Sequence, residues 1–172
     1  VQQVAGIYGE LPITEAWSSR LTLSEARDEQ ETPVYSSVFD TQTRTVRWEN
    51  TLAFGRHELV AGAEYARDEV DSSTAFGEDS RDNTAVFTQA LIDFSPLTVQ
   101  ASLRHDDNEA YGEETTGSLA LGVALDQIHT LRVSYGTAFR APTFNDLYYP
   151  DDGFYEGNPN LDAETSETYE LG

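Results

Sequence analysis

Carboxylates are the side chains in this sequence with the greatest capacity for chemistry. The chain has 31 acidic and 10 basic residues and a net charge of −21, and every basic residue is Arg. The acidic residues concentrate in short runs: Asp28–Glu31, Asp68–Glu69, Glu78–Asp79, Asp106–Glu109, Glu113–Glu114 and Asp151–Asp152. Hard oxygen ligands of this kind suit calcium, but none of the runs has the roughly twelve-residue spacing of an EF-hand loop. Two interpretations stay open: solvated loop tips, or a site for a divalent cation.

Patterns typical of catalysis do not occur in the sequence. The chain has no Cys, which excludes disulfides, iron–sulfur clusters and thiolate zinc sites, and it has no GxSxG, P-loop or HExxH pattern. Asp106 and Asp107 could be read as a carboxylate pair, but neighbouring side chains in an extended segment point apart. We therefore expect a protein that is not an enzyme and has no cofactor other than a possible structural calcium ion. Nucleic acid is not an expected partner, because binding phosphates requires clustered cations.

Alternating apolar and polar residues predict an all-β chain. Nine candidate strands follow one another: 1–8, 15–28, 41–54, 57–69, 83–94, 97–107, 115–126, 129–139 and 164–172. The connections alternate between short turns, of which Gly9–Thr14 is the first, and long polar loops, of which 140–163 is the longest. In an antiparallel up-and-down meander this rhythm puts all short turns at one end and all long loops at the other. That arrangement is typical of a transmembrane β-barrel.

The two faces of the predicted strands support the barrel. The strand at 97–105 separates Leu97, Val99, Ala101 and Leu103 from Thr98, Gln100, Ser102 and Arg104. No run of 18 apolar residues is present, so no membrane-spanning helix is expected. The alternative of another class is a soluble, calcium-stabilised β-sandwich used for adhesion or glycan binding. Burying the charges of the polar face between two sheets would cost several kcal/mol for each ion, which counts against it.

Two segments carry a family resemblance. YGTAFRAPTFNDLYYP at 135–150 and GNPNLDAETSETYELG at 157–172 resemble the barrel of TonB-dependent outer-membrane receptors, and among them the cobalamin (BtuB-type) transporters. RTVRWENTLAFGRHELVAGAEYARDE at 44–69 and the hairpin from Asp82 to Gly112 extend the similarity. The second segment follows the family's NPxLxPE pattern at Asn158, Pro159, Leu161 and Glu164 but has Ala163 where the family usually has Pro.

The resemblance implies a location, a function and partners. Residues 1–172 are expected to form a partial barrel domain, about nine of about 22 strands, with the plug domain and the C-terminal barrel strands absent. The expected location is the outer membrane of a Gram-negative bacterium, in contact with lipid and lipopolysaccharide. The expected function of the parent is TonB-dependent transport of cobalamin or a similar corrinoid, with a ferric siderophore as the alternative ligand. TonB would act through the missing plug, and open strand edges could let the fragment, inactive alone, self-associate.

The same resemblance suggests site residues. Ligand contacts are expected in loop 140–163, from Tyr148, Tyr149, Phe154 and Tyr155, because aromatic groups suit a large amphipathic corrinoid. These rings could instead pack within the loop or contact lipopolysaccharide. Cobalamin receptors use acidic loops to bind calcium, and loop 29–42 occupies a comparable place, so Asp40 is carried over as a metal ligand.

Overall fold

The chain forms a single antiparallel sheet in which spatial order follows sequence order. The computed structural model describes residues 1–32 and 37–172, and in these residues all nine strands pair with their chain neighbours from β1 to β9. The strands are β1 (Gln2–Thr14), β2 (Trp17–Thr32), β3 (Ser37–Phe54), β4 (His57–Ser72), β5 (Ser80–Asp93), β6 (Leu97–Asn108), β7 (Gly112–Ala124), β8 (Thr130–Arg140) and β9 (Glu164–Leu171). One short helix, α1 (Phe144–Tyr148), lies between β8 and β9. The all-β meander is confirmed, and the two-sheet sandwich is wrong.

The two ends of the sheet differ in the length of their connections. The turn end carries residues 15–16, 55–56, 94–96 and 125–129, and the loop end carries 73–79, 109–111 and 141–163. Residues 33–36 lie outside the described part of the chain. In the described part, no helix is long and apolar enough to cross a membrane.

Several predicted boundaries were wrong, because the strands are longer than expected. β1 continues through the predicted turn Gly9–Thr14, the described part of the predicted loop 29–42 is strand, and the predicted long loop at 108–114 shrinks to residues 109–111. β2 and β3 reach 16 and 18 residues, whereas about 9–11 suffice to cross a bilayer. Cross-strand ion pairs stabilise the strands where the extensions begin: Arg27 meets Asp40 at 2.6 Å, and Arg44 meets Glu25 at 3.1 Å and Glu69 at 3.0 Å.

The sheet has two chemically different faces, here called outer and inner. Register places Val46 of β3, Tyr65 of β4, Leu103 of β6 and Leu119 of β7 on the outer face, where each is between 41% and 54% exposed. Asn50, a polar exception on this face, accepts a hydrogen bond from the indole of Trp17 at 3.0 Å. The apolar band matches the lipid-facing surface of a membrane barrel.

The inner face carries paired charges. Glu64 accepts from Arg47 at 3.0 Å and from Arg104 at 2.8 Å, and Arg104 also binds Asp106 at 2.7 Å. Asp106 is only 2% exposed, and it accepts a further hydrogen bond from Asn83 at 2.9 Å. The middle of the inner face is therefore polar but locally neutralised.

Candidate ligand-binding site

Helix α1 turns loop 141–163 into an ordered element. Thr143 caps it: its hydroxyl accepts from the amide of Asp146 at 3.2 Å, and the Asp146 carboxylate accepts from the Thr143 amide at 2.9 Å. These bonds, led by the backbone one, hold the pKa of Asp146 below its usual value. Phe144 and Leu147 are 5% and 1% exposed, so they fix the helix against the sheet. The Thr-x-x-Asp pattern of a capping box was present in the sequence and could have predicted this helix.

The rest of the loop folds back on the helix. The amide of Gly157 donates to the Tyr149 carbonyl at 2.9 Å, and the amide of Asn158 donates to the Asp146 carbonyl at 2.8 Å. A Cβ on Gly157 would lie 2.6 Å from the backbone nitrogen of Tyr149, so only glycine permits this close approach. The Asp152 side chain accepts from the amides of Phe154 and Tyr155, which lowers the pKa of Asp152. Backbone hydrogen bonds and the Asp152 side chain therefore define the loop's path.

Arg81 of β5 connects the loop to the inner face. Its Nη1 donates to the Pro142 carbonyl at 2.7 Å, and its Nε donates to Asp68 at 3.1 Å. Its guanidinium carbon lies 4.8 Å from the centroid of the Phe144 ring. These contacts join β4, β5 and the start of α1.

A chain of aromatic rings crosses the loop end. Ring centroids are 5.7 Å apart for Phe39 and Phe76, 6.0 Å for Phe76 and Tyr149, and 5.5 Å for Tyr149 and Tyr155. The amide of Gly77 also donates to the Tyr148 carbonyl at 3.2 Å. Two connections distant in sequence, 73–79 and 141–163, therefore share one aromatic cluster.

The four predicted ligand residues take different places. Tyr149 and Tyr155 belong to the aromatic cluster, whereas the ring of Tyr148 packs beside Phe144 with centroids 6.1 Å apart. Burial raises the pKa of Tyr148. Phe154 is 100% exposed and stands apart from the cluster. Their role in binding a ligand stays a prediction.

Sequence reasoning missed two members of the cluster, Phe39 and Phe76. Phe39 lies within the predicted loop 29–42, and the structure places it on the inner face of β3, opposite Ser72. Phe76 stands alone in its connection, with no periodic pattern to assign it. Their proximity depends on strand register and on the fold of two loops.

A cavity of about 530 Å³ lies beside this cluster. Phe39, Phe76, Phe144 and Tyr149 supply its aromatic wall, and hydroxyl and amide side chains, including Thr41, Thr43, Ser72 and Asn145, supply its polar wall. Arg81 and Asp68 are its charged lining residues in the described part of the chain, and they form an ion pair at 3.1 Å. The cavity is therefore aromatic, polar and balanced in charge, which suits a large amphipathic ligand.

Asp40 lies elsewhere, on the outer face of β3. Both of its carboxylate oxygens accept from Arg27, at 2.6 to 2.9 Å. Calcium takes about 6–8 oxygen ligands, and across residues 1–32 and 37–172 no group of three or more acidic or His side chains could hold a metal ion. The present arrangement makes Asp40 an ion-pair partner, and its role as a metal ligand stays a prediction.

The sequence is similar to bacterial vitamin B12 transporters. It is 38% identical over 159 residues to the vitamin B12 transporter BtuB of Photobacterium profundum, covering 89% of this chain and 25% of that protein. It is 34% identical over 167 residues to BtuB of Vibrio vulnificus, covering 91% of this chain and 26% of that protein. The chain therefore spans about a quarter of the length of these relatives.

The fold is similar to that of solved receptors. The siderophore receptor PirA from Pseudomonas aeruginosa matches 99% of this chain with a TM-score of 0.83 and 22% identity, over 34% of its own length. A mutant of the ferric enterobactin receptor PfeA from the same species matches 99% with a TM-score of 0.77 and 18% identity, over 31% of its length. At these identities the likeness shows the fold alone.

The family model for the TonB-dependent receptor-like β-barrel matches residues 5–172. With that match and relatives at 34–38% identity, this chain belongs to the TonB-dependent receptor β-barrel family.

Proposed function

We propose that this protein acts in TonB-dependent uptake across the outer membrane of a Gram-negative bacterium, with cobalamin or a similar corrinoid as its ligand. The similarity to vitamin B12 transporters supports this function. Residues 1–172 would supply one part of the barrel wall and one part of the ligand site. The plug that contacts TonB and the remaining strands would lie outside these residues, so this segment would not transport alone.

The observation that carries the proposal is the charge-balanced aromatic cavity at the loop end. A ferric siderophore that carries negative charge is expected to need unpaired cations, since charge-assisted hydrogen bonds are the strong ones. Lys does not occur in the sequence, and the Arg81 guanidinium is paired with Asp68. Edge-to-face aromatic rings and uncharged polar groups suit a corrinoid better, because its large surface is both apolar and rich in amides.

Ligand titration tests this function. Calorimetry would measure cyanocobalamin binding by the full-length protein purified in detergent. The unsubstituted protein, called the parent, would be compared with the variants Phe76→Ala and Tyr149→Ala. We expect each variant to weaken binding about tenfold or more, because a buried aromatic contact contributes at least about 1.4 kcal/mol. Phe94→Ala, at the exposed turn end, is the matched control and should bind as the parent does.

Each outcome has a defined meaning. Binding of a ferric siderophore without binding of cyanocobalamin would replace the ligand and leave the receptor function in place. Equal affinities for the parent, Phe76→Ala and Tyr149→Ala would contradict the site. Repeating the titration with calcium and with a chelator, on the parent and on Asp40→Asn, tests the metal prediction: a calcium-dependent affinity that Asp40→Asn removes would support it.

A further inference from the structure

We propose that Arg81 is a positioning residue that holds loop 141–163 over the inner face and so fixes the Tyr149 side of the ligand cavity. The consequence for ligand affinity rests on the function proposed above. The consequence for the loop does not, because it is argued from contacts of Arg81 with Asp68, Pro142 and Phe144 of this chain alone. Arg81 is thus a strand residue that acts on the site through a loop.

Arg81 is unusually enclosed for a charged side chain. Its side chain is 13% exposed, the lowest value among the arginines that form ion pairs in the described residues. Burying an ion is costly unless it is paired and hydrogen-bonded. Asp68 supplies the opposite charge, and Asp68 is held in turn by the hydroxyl of Thr43 at 2.7 Å. The charge is therefore fixed by side chains from three consecutive strands.

The other side of the guanidinium holds the loop. Nη1 donates to the carbonyl of Pro142 at 2.7 Å, and Pro142 directly precedes the capping residue Thr143. The Phe144 ring lies 4.8 Å from the guanidinium carbon, within the range of a cation–π contact. The hydrogen bond and the ring contact together set where α1 begins. The helix is five residues long, and Tyr149 follows it directly.

Arginine suits this position better than lysine. Its planar group binds a carboxylate and a carbonyl through different nitrogens while its face meets a ring. A lysine would keep the charge but act as a point charge, so it could satisfy Asp68 without fixing Pro142 and Phe144 together. Nε and Nη1 both have protein partners, so Arg81 acts on the site by orienting the loop.

The first experiment measures the loop without any ligand. Residues 1–172 contain no Cys, so Phe154→Cys and Ile128→Cys place two nitroxides there, at fully and largely exposed positions on opposite ends of the sheet. Any Cys elsewhere in the full-length protein would be replaced by Ser. Electron–electron distance measurements on the protein at full natural length in detergent would then compare Arg81 with Arg81→Gln and Arg81→Lys. We expect a single narrow distance for the parent, a clearly broader distribution for Arg81→Gln and an intermediate one for Arg81→Lys.

A matched control separates this role from general loss of an ion pair. Arg44→Gln removes an arginine that pairs with two carboxylates on the outer face, and it should leave the distance distribution unchanged. If Arg81→Gln does not insert, Phe144→Leu tests the same contact from the loop side and should broaden the distribution. A distribution for Arg81→Gln as narrow as the parent's would overturn the proposal.

The second experiment links the loop to the ligand, using unlabelled protein. We expect Arg81→Gln to weaken cyanocobalamin binding about tenfold, and Arg81→Lys to restore part of that loss. A broadened distance with unchanged affinity would overturn the link to the ligand site. A broadened distance in Arg81→Gln with no cobalamin binding by the parent would refute the proposed ligand alone and leave the role of Arg81 in positioning the loop supported.

Discussion

At the scale of single residues, the inner face depends on one glycine facing one aromatic ring. A Cβ on Gly62 would lie 2.5 Å from Cζ of Phe87 and closer still to the Trp48 carbonyl oxygen. The Phe87 ring fills this space and lies 4.0 Å from the Arg47 guanidinium carbon. We expect Gly62→Ala to destabilise the protein by about 1–3 kcal/mol, since overpacking displaces both ring and backbone. Urea unfolding of the detergent-folded protein would measure this.

Gly122→Ala is the matched control on the same face. A Cβ there meets nothing within 4 Å, so we expect no loss of stability and a small gain from reduced backbone freedom in the unfolded chain. Equal losses for both variants would show that the close approach of Phe87 to Gly62 is not the cause of the loss.

The pairing of Gly62 with Phe87 also shows what sequence could not provide. Phe87 and Leu91 alternate against Val86 and Ile92, so neither face of β5 is distinctly apolar from sequence. The register, which sets Gly62 opposite Phe87, explains the pattern: the ring fills the space that a side chain on β4 would take. Register is a long-range property, and a single strand does not contain it.

At the scale of elements, polar composition was a poor guide to where strands end. Residues 29–31 were expected to begin a loop, yet they form strand: Glu29 pairs in register with Asp40, and both carboxylates contact Arg27. Helix α1 has a local signal in the sequence, its capping box, but it was missed because the helix is only five residues long. The strand extensions could not be predicted without the pairing, whereas the helix could.

The capping box makes the loop sensitive to acid. The pKa of Asp146 is lowered below the ordinary 3.8 by hydrogen bonds from Thr143, so its stabilisation is complete above the ordinary value and is lost as pH falls through the lowered one. With a nitroxide at Phe154→Cys, we expect the spectrum to show increasing loop mobility on acidification below the ordinary value. Near neutral pH the nitroxide spectrum should not depend on pH.

Two substitutions identify the carboxylate that causes this acid-dependent step in loop mobility. Asp146→Asn keeps an acceptor but cannot ionise, and it should abolish the acid-dependent step. The pKa of Asp152 is also lowered, by the amides of Phe154 and Tyr155, so Asp152→Asn is the second comparison and should retain the step. A step that survives Asp146→Asn and disappears with Asp152→Asn would assign the acid response to the turn at Asp152 instead of the capping box.

At the scale of the whole molecule, the order of strands and, except in β5, the two faces followed from sequence alone. Alternation at 97–105 predicted the outer residues of β6, and the structure places Val99 and Leu103 on the outer face. The loop-end site did not follow, because it joins Phe39, Phe76 and Tyr149 from three separate segments. Strand faces depend on local periodicity, whereas the site depends on how distant segments meet.

The two-faced sheet predicts opposite outcomes for one charge placed on adjacent residues. Leu119 lies on the outer face, between Ala101 and Tyr135 on the neighbouring strands, and Ala120 lies on the inner face. A bilayer spans about 9–11 residues of a tilted strand, and counting from the turn end of β7 at Ala124 puts Leu119 near the bilayer midplane.

We expect Leu119→Arg to destabilise the protein folded in lipid vesicles by about 2–4 kcal/mol, the cost of a cation facing lipid at that depth. Ala120→Arg should insert normally, because the inner face already holds Arg47 and Arg104 paired with carboxylates. Urea titration of vesicle-folded protein measures both, and a larger loss for Ala120→Arg would mean that the assignment of the faces is reversed.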